Sequence, residues 1–359
     1  MTTTDTADVE ATTAQIKRLE AHGCDIIRVA VPNIEAADAI SKIKENINIP
    51  LVADIHFDHK LALRAIEAGA DKIRINPGNI GKTDSKGNNA KVKQVAEACN
   101  RKKIPIRIGV NGGSLEKEIL AKHGDITPAA MVESALGHIA LLNKYDFDNI
   151  WISAKTSNVP LTVKTYRLLS QQTKYPLHIG ITEAGTEYNG IIKNAIGIGT
   201  LLLDGIGNTI RVSLTAEPER EVIAAKAILK SIGLRPGLDI ISCPTCGRCN
   251  IDLMGMVNEV EKKLTDGSIL SDKAWYDKNI TVAIMGCSVN GPGEASHADF
   301  GIAAYGGGRN VGVADYGIAG CTKASKVGVL FAKGKVVNKV PIKKLTDELV
   351  KLILKEVTK

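Results

Sequence analysis

The sequence predicts an α/β chain: a TIM-type (β/α)8 barrel followed by a smaller α+β domain. Short β-branched runs recur between amphipathic helical segments, most of those helices end in glycine before the next apolar run, and the order of elements changes after an RPG turn at 235–237. Regular βα alternation is the pattern of a parallel sheet closed or layered by helices, and a mixed order beyond a turn marks a second domain.

The runs are IIRVAV at 26–31, LVADI at 51–55, KIRI at 72–75, IRIGV at 106–110, NIWISA at 149–154, LHIGIT at 177–182 and TIRVSL at 209–214. They are near-continuously apolar, as parallel strands covered by helices are. TTAQIKRLEAHG and KLALRAIEAGA are examples of the helices between them, each with a 3.6-residue apolar period and a terminal glycine. A doubly wound sheet is the other architecture compatible with this alternation. Seven strands are one short of a closed barrel, so either an eighth is expected ahead of Met1, the chain starting just after it, or the barrel is irregular. The helix PEREVIAAKAILKSIG at 218–233 completes the first domain, 1–234, and the second spans 238–359. In the second the expected order is a strand at DIIS, a helix at IDLMGMVNEVEKKL, a strand at TVAIMG, a glycine-rich stretch, a hairpin around GVLFAKGKVV and a helix from 342.

Of the 359 residues, 44% are hydrophobic and 24% charged, an ordinary globular balance with enough apolar content for two cores. No apolar run reaches 18 residues and the start, MTTTDTADVE, is polar, so neither a membrane span nor a secretory leader is expected and the cytoplasm is the expected compartment. The formal net charge of +7 is spread over helices, without a basic block interleaved with aromatics, which argues against nucleic acid as a partner. Seven cysteines do not form a secreted disulfide framework.

Four of the seven strand runs carry an arginine, namely Arg28, Arg74, Arg107 and Arg211. A lone arginine in a strand usually packs its stem at a rim. Four of them in helix-covered strands imply an anion, because unpaired buried charge is costly and carboxylates within the runs are few. Guanidinium groups converging from several strands suit a diphosphate, which takes bidentate donors. Other polar residues fall at the same strand ends: Asp54, His56, Asn76, Asn111, Ser153, Lys155, His178, Glu183 and Ser213. In a barrel that is the catalytic face. Glu183 has the position of a general acid or of a helix-capping carboxylate. NPGNIG and NGGS lack nucleotide-loop spacing and read as loops that let backbone approach a ligand.

ISCPTCGRC places Cys243, Cys246 and Cys249 at two successive CxxC spacings, and MGCSVNGPGE adds Cys287 and, on a tight loop, Glu294. Two compositions satisfy this set. One is zinc held by Cys243, Cys246, Cys249 and Cys287. The other is an iron–sulfur cluster with Cys243, Cys246 and Cys287 as thiolate ligands and Glu294 as a weaker, exchangeable oxygen ligand.

Taken together, TTTDTxDVEAT, RVAVP, DIHF, RINPGNIG, PIRIGVN, ISCPTCGR and GCSVNGPGEASHADFGIA resemble, in order and over nearly the whole chain, the 4-hydroxy-3-methylbut-2-enyl diphosphate synthase family of the non-mevalonate isoprenoid pathway. The resemblance implies a barrel followed by a [4Fe–4S] domain, a head-to-tail homodimer, and reductive ring opening of 2-C-methyl-D-erythritol 2,4-cyclodiphosphate. Flavodoxin or ferredoxin would supply two electrons, and a hydroxyl would leave as water. It implies Cys243, Cys246, Cys287 and Glu294 as cluster ligands. Arg28, Arg74, Arg107, Asn111, Lys155, Arg211 and Ser213 would be diphosphate-binding residues, with His56 and Glu183 close to the reacting carbons; Asp54, at the same strand ends, joins Glu294, Glu183 and His56 as a catalytic candidate. Two departures stand out: the family's first strand is absent apart from Met1, and Cys249 occupies a position where many relatives have threonine. The competing function from another class is a phosphate-anchored barrel lyase or synthase with a structural zinc domain, and a third is a zinc-ribbon binding module.

Overall fold

The computed structural model describes residues 1–80, 88–249, 251–265, 278–287, 294, 297–304 and 327–357. The chain divides into two compact units, Met1–Ile232 and Gly233–Lys359.

The first unit runs α1 (Val9–Ala21), β1 (Ile27–Ala30), α2 (Ile34–Lys44), β2 (Leu51–Asp54), α3 (His59–Glu67), β3 (Lys72–Ile75), α4 (Ala90–Lys102) and β4 (Ile106–Asn111). It continues with α5 (Lys117–His123), α6 (Pro128–Asn143), β5 (Ile150–Lys155), α7 (Val159–Gln172), β6 (His178–Ile179), α8 (Glu187–Leu203), β7 (Thr209–Ile210) and α9 (Pro218–Ser231). Side-chain oxygens cap the starts of these helices as the sequence demands: Asp8 accepts from Ala11 N, Asn33 from Ala36 N, Thr127 from Ala130 N and Asn158 from Leu161 N. Strands β1 to β5 pair in parallel in chain order, β6 pairs with β7, and a single parallel bridge, Ile152↔Leu177, joins the two sets. All seven expected strands of a TIM-like barrel are present, but β6 and β7 shrink to two residues each.

That shortening has a visible cause. After Ile152 N donates to Pro176 O, the ladder between β5 and β6 is interrupted by Tyr166 of α7. Its hydroxyl accepts from Ala154 N at 2.9 Å and donates to His178 O at 2.7 Å, so it splices itself between groups that would otherwise pair directly. Tyr166 is fully buried, and its hydroxyl satisfies both backbone groups that the splayed seam would leave orphaned. Gly180 follows at φ 155°, where a Cβ would collide with the Arg211 carbonyl. On the other side of the barrel, the carbonyls of β1 at Arg28 and Ala30 are taken by Thr2 N at 3.0 Å and Thr6 Oγ1 at 2.6 Å, so the first residues cover the edge where an eighth strand was expected.

Strand residues alternate sharply. Ile27 and Val29, Ile73 and Ile75, Ile106, Ile108 and Val110, and Ile150, Ile152 and Ala154 are buried to 1% exposure or less beneath the helices. The residues between them, Arg28, Arg74, Arg107, Ser153 and Lys155, face the opposite way. The outward face of each strand is therefore the hydrophobic core, and the inward face is where the charge sits.

In the second unit, β8 (Gly237–Ser242), α10 (Leu253–Thr265), β9 (Asn279–Met285), β10 (Phe300–Ala304), β11 (Val327–Ala332), β12 (Lys335–Pro341) and α11 (Ile342–Val357) form a sheet of order β12-β11-β10-β9-β8 with helices packed on it. The expected hairpin is β11–β12, turning at Lys333 and Gly334. β10 lies within the glycine-rich stretch expected between β9 and the hairpin. Pairing in parallel with β9 and antiparallel with β11 recruits this short run into the sheet.

Candidate active site

The inward residues of the barrel strands make a cationic cup. Strand register puts Asp54, Arg74 and Arg107 in one row across β2, β3 and β4, and Asn111 opposite Lys155 across β4 and β5. Arg74 and Arg107 are 5% and 6% exposed, Lys155 8% and Asp54 3%, so these charges are held by the fold and not by solvent.

The expected scarcity of carboxylates among the arginines holds only in part. Asp54 Oδ1 accepts from Arg74 Nη1 at 3.0 Å, and its Oδ2 lies 3.6 Å from Arg28 Nε and 3.6 Å from His56 Nε2. Glu221, from α9, stands 3.4 Å from Arg211 Nη2 and also accepts from Leu214 N at 3.0 Å. Asp54, a catalytic candidate from its strand-end position, is the counter-ion that aligns Arg28 and Arg74. Burial alone would raise its pKa, but the neighbouring His56 and the charges of Arg28 and Arg74 outweigh burial and hold the carboxyl well below the usual range. Glu221 was missed, because a carboxylate in the first turn of a helix reads as a dipole partner until the tertiary structure brings it to a strand.

Not every donor in the cup is matched by these two carboxylates. Arg107 Nε is buried without an acceptor among the described residues, as is Arg211 Nε. Burial, then the neighbouring Arg28 and Arg74, pulls Arg107 well below the ordinary arginine value, and burial brings Arg28 down to about 10. At the start of β3, Lys72 lies over the Trp151 ring at 3.6 Å, and burial followed by Arg107 lowers it to about 8.

Gly109 makes room for this arrangement. A Cβ there would overlap Arg74 Nε and stand 2.6 Å from its Nη2, so the guanidinium lies directly on the backbone of β4. Glycine inside a strand marks this kind of close approach, and that signal was legible in IRIGV. With the Asn111 amide turned so that its oxygen faces the cup, that oxygen accepts from Arg74 Nη2 at 3.3 Å. Ser213 is half-buried beyond β7, and its carbonyl accepts from Asn194 Nδ2 at 3.2 Å. His178 Nδ1 pairs with Thr209 Oγ1 at 2.8 Å.

At the rim, His56 is half exposed and 3.2 Å from Arg74 Nη1, and Phe57 beside it is 72% exposed. Glu183 is exposed and holds a left-handed backbone, φ 51°, which costs a non-glycine residue about 1 kcal/mol or more. Such strain concentrates where a side chain must be aimed at a ligand.

In the second unit, β8 and β9 are parallel neighbours, and Cys243 follows the end of one as Cys287 follows the end of the other. Both thiols are half-buried at the same sheet edge, Cys246 is exposed on the loop after β8, and Glu294 is exposed. Residues 288–293, between Cys287 and Glu294, lie outside the described residues. Hydrogen bonding from the Arg248 backbone lowers the Cys246 thiol, favouring the thiolate form that metals bind. Cys249 packs against the same edge: a Cβ at Gly286 would stand 2.6 Å from its Sγ. Among the described residues no three of these side chains converge on a single point. Thiols brought to one edge by two adjacent strands fit the donor chemistry of an iron–sulfur cluster, which selects thiolate.

Residues 1–226 match the family profile described as the GcpE TIM-barrel domain, and residues 239–313 match the GcpE protein C-terminal domain. Proteins named 4-hydroxy-3-methylbut-2-en-1-yl diphosphate synthase (flavodoxin) are similar over nearly the full chain. That of Caldanaerobacter subterraneus subsp. tengcongensis is 55% identical over 99% of this chain and 91% of its own length. Those of Caldicellulosiruptor saccharolyticus and Clostridium perfringens are 54% and 52% identical, each over 98% of this chain and 92% of its own length.

Proposed function

We propose a function from one premise, that this chain belongs to the GcpE family of 4-hydroxy-3-methylbut-2-en-1-yl diphosphate synthases. The chain is an enzyme of isoprenoid biosynthesis that converts 2-C-methyl-D-erythritol 2,4-cyclodiphosphate to 4-hydroxy-3-methylbut-2-enyl diphosphate with electrons from flavodoxin. The observation that carries the site assignment is the cationic cup, in which Arg28, Arg74, Arg107, Lys155 and Arg211 outnumber Asp54 and Glu221.

Within that cup the arginines take the diphosphate oxygens, two donors at a time, and Asp54 keeps Arg28 and Arg74 in place for it. Asn111 and Ser213 add neutral hydrogen bonds, and Arg107 brings an Nε–H that lacks an acceptor among the described residues. His56 and Glu183 sit at the rim, where the carbon skeleton of the substrate extends from the anchored phosphates. Glu183 is the general acid for the departing hydroxyl, and the strained backbone aims it.

Cys243, Cys246, Cys287 and Glu294 hold a [4Fe–4S] cluster. When bound, it supplies electrons singly and a Lewis-acidic iron, chemistry that no side chain offers. Cys249 is a neighbouring thiol and not a ligand. The active form is a cytoplasmic homodimer.

Anaerobic purification of the full chain tests this. The expected protein is brown, contains iron and sulfide, and turns over the cyclodiphosphate with reduced flavodoxin. Glu294→Ala should fold normally and lose turnover sharply. A colourless zinc protein without this activity would refute the assignment.

A further inference from the structure

Lys155 enters the cup from the end of β5, and its Nζ stands over Gly180, where a Cβ would come within 2.9 Å of it. It is 8% exposed, and among the described residues it makes no ion pair or side-chain hydrogen bond. The elements around it bring further positive charge or groups that offer it no free carboxylate among the described residues. Arg107 reaches in from β4, Arg211 from β7, Arg28 from β1 and Arg74 from β3. His178, on β6, spends Nδ1 on Thr209, and its Nε2 is buried without a partner. Both carboxylates are engaged, Asp54 by Arg74 and Arg28, and Glu221 by Arg211 and Leu214 N. The Tyr166 hydroxyl behind β5 is occupied by Ala154 N and His178 O.

A buried ammonium without a counter-ion is costly, and the usual relief is loss of the proton. The four arginines cannot give that relief, because guanidinium stays charged in proteins. Lysine can, since its amine is a stable neutral form. Resting on the reading of this cup as the diphosphate site, we propose that Lys155 is an uncharged amine in the free protein and takes up one proton when the diphosphate seats among the arginines. Substrate binding is thereby coupled to proton uptake.

The proton comes from a solvent acid, forms one N–H bond at Nζ and breaks no bond in the ligand. The same direction follows from electrostatics: burial first, then Arg107, Arg211, Arg28 and Arg74, pulls Lys155 well below the ordinary lysine range. Burial and then Lys155 likewise lower His178, and its ordinary value is already about four units below that of lysine, so it does not compete for the proton. Two negative phosphoryl groups beside Nζ reverse the balance and favour the ammonium.

The test is isothermal titration calorimetry of the anaerobic holoenzyme with 2-C-methyl-D-erythritol 2,4-cyclodiphosphate, without reductant. It is run in two buffers of different ionisation enthalpy at about pH 8, where an ordinary lysine is charged. Each phosphorus of the cyclic ligand carries a single strongly acidic hydroxyl, so the ligand contributes no proton of its own. The expected result is uptake of about one proton per ligand, with affinity falling by up to about tenfold per pH unit through the alkaline range where free Lys155 is neutral. Lys155→Arg, with a permanently charged group, should bind with no uptake and a flat pH dependence, and His178→Gln should keep the uptake. Wild-type binding without proton uptake overturns the proposal, as does uptake that survives Lys155→Arg or disappears in His178→Gln. Failure of the wild type to bind at all would instead bring down the cup assignment, and this proposal with it.

Discussion

The cup in the first unit and the cysteine edge in the second are prepared to different degrees. Asp54, Arg74, Arg107 and Lys155 are each more than nine-tenths buried on strands whose outward faces are packed beneath helices, and Asp54 already binds two of the arginines. Cys246 and Glu294 are exposed, Cys243 and Cys287 are half-buried, and all four lie outside regular strands. A site for an anion can be built by the chain alone, since strands fix the cations and burial keeps water from screening them. A site for a metal cluster is completed by the bonds of the metal itself, and that binding energy is also folding energy.

Three changes would break or sharpen this contrast. The largest effect is expected from Cys287→Ala, which should abolish turnover and drop iron and sulfide content while the unfolding transition of the first unit stays in place. Loss of that transition would mean that the cup depends on the cluster after all. Next is Asp54→Asn, which leaves Arg28 and Arg74 facing each other without a counter-ion. A loss of about 3–5 kcal/mol is expected by urea unfolding at neutral pH. The folded carboxyl is depressed, so its contribution is complete above the unfolded value of about 3.9 and is lost as the pH falls through and below it. Wild type and variant should therefore converge in acid, and a constant difference across that range would show that Asp54 acts by shape and not by charge. The smallest effect belongs to Tyr166→Phe, which orphans Ala154 N–H and His178 C=O in the splayed seam. It should cost about 1–3 kcal/mol of stability by thermal or urea unfolding. No measurable loss would mean that the seam closes without the hydroxyl.

Much of the cup was readable from the chain. Arg28, Arg74, Arg107 and Arg211 stood out because charge inside an apolar strand run has few structural uses, and period-two alternation then fixed which way they face. What pairs with them was less legible. Asp54 lies in the run LVADI, yet its engagement with Arg74 depends on register across β2 and β3, and Glu221 reaches Arg211 from a different element altogether. The spacing of Cys243, Cys246 and Cys287 led to the expectation of a metal site and left open which metal, and the motifs of the family carried that choice.

The sequence by itself determined the βα alternation, the seven strands, the position of the arginines and the cysteine spacing, because each of these is a local pattern of polarity and turn residues. Tertiary structure alone decided that Tyr166 splits the β5–β6 seam, that Arg74 is the side chain lying on Gly109, and that Lys155 has no counter-ion among the described residues. Those are facts about which groups meet across strands, and the energy of a buried charge is set by the neighbours it finds in space, which no one-dimensional pattern specifies.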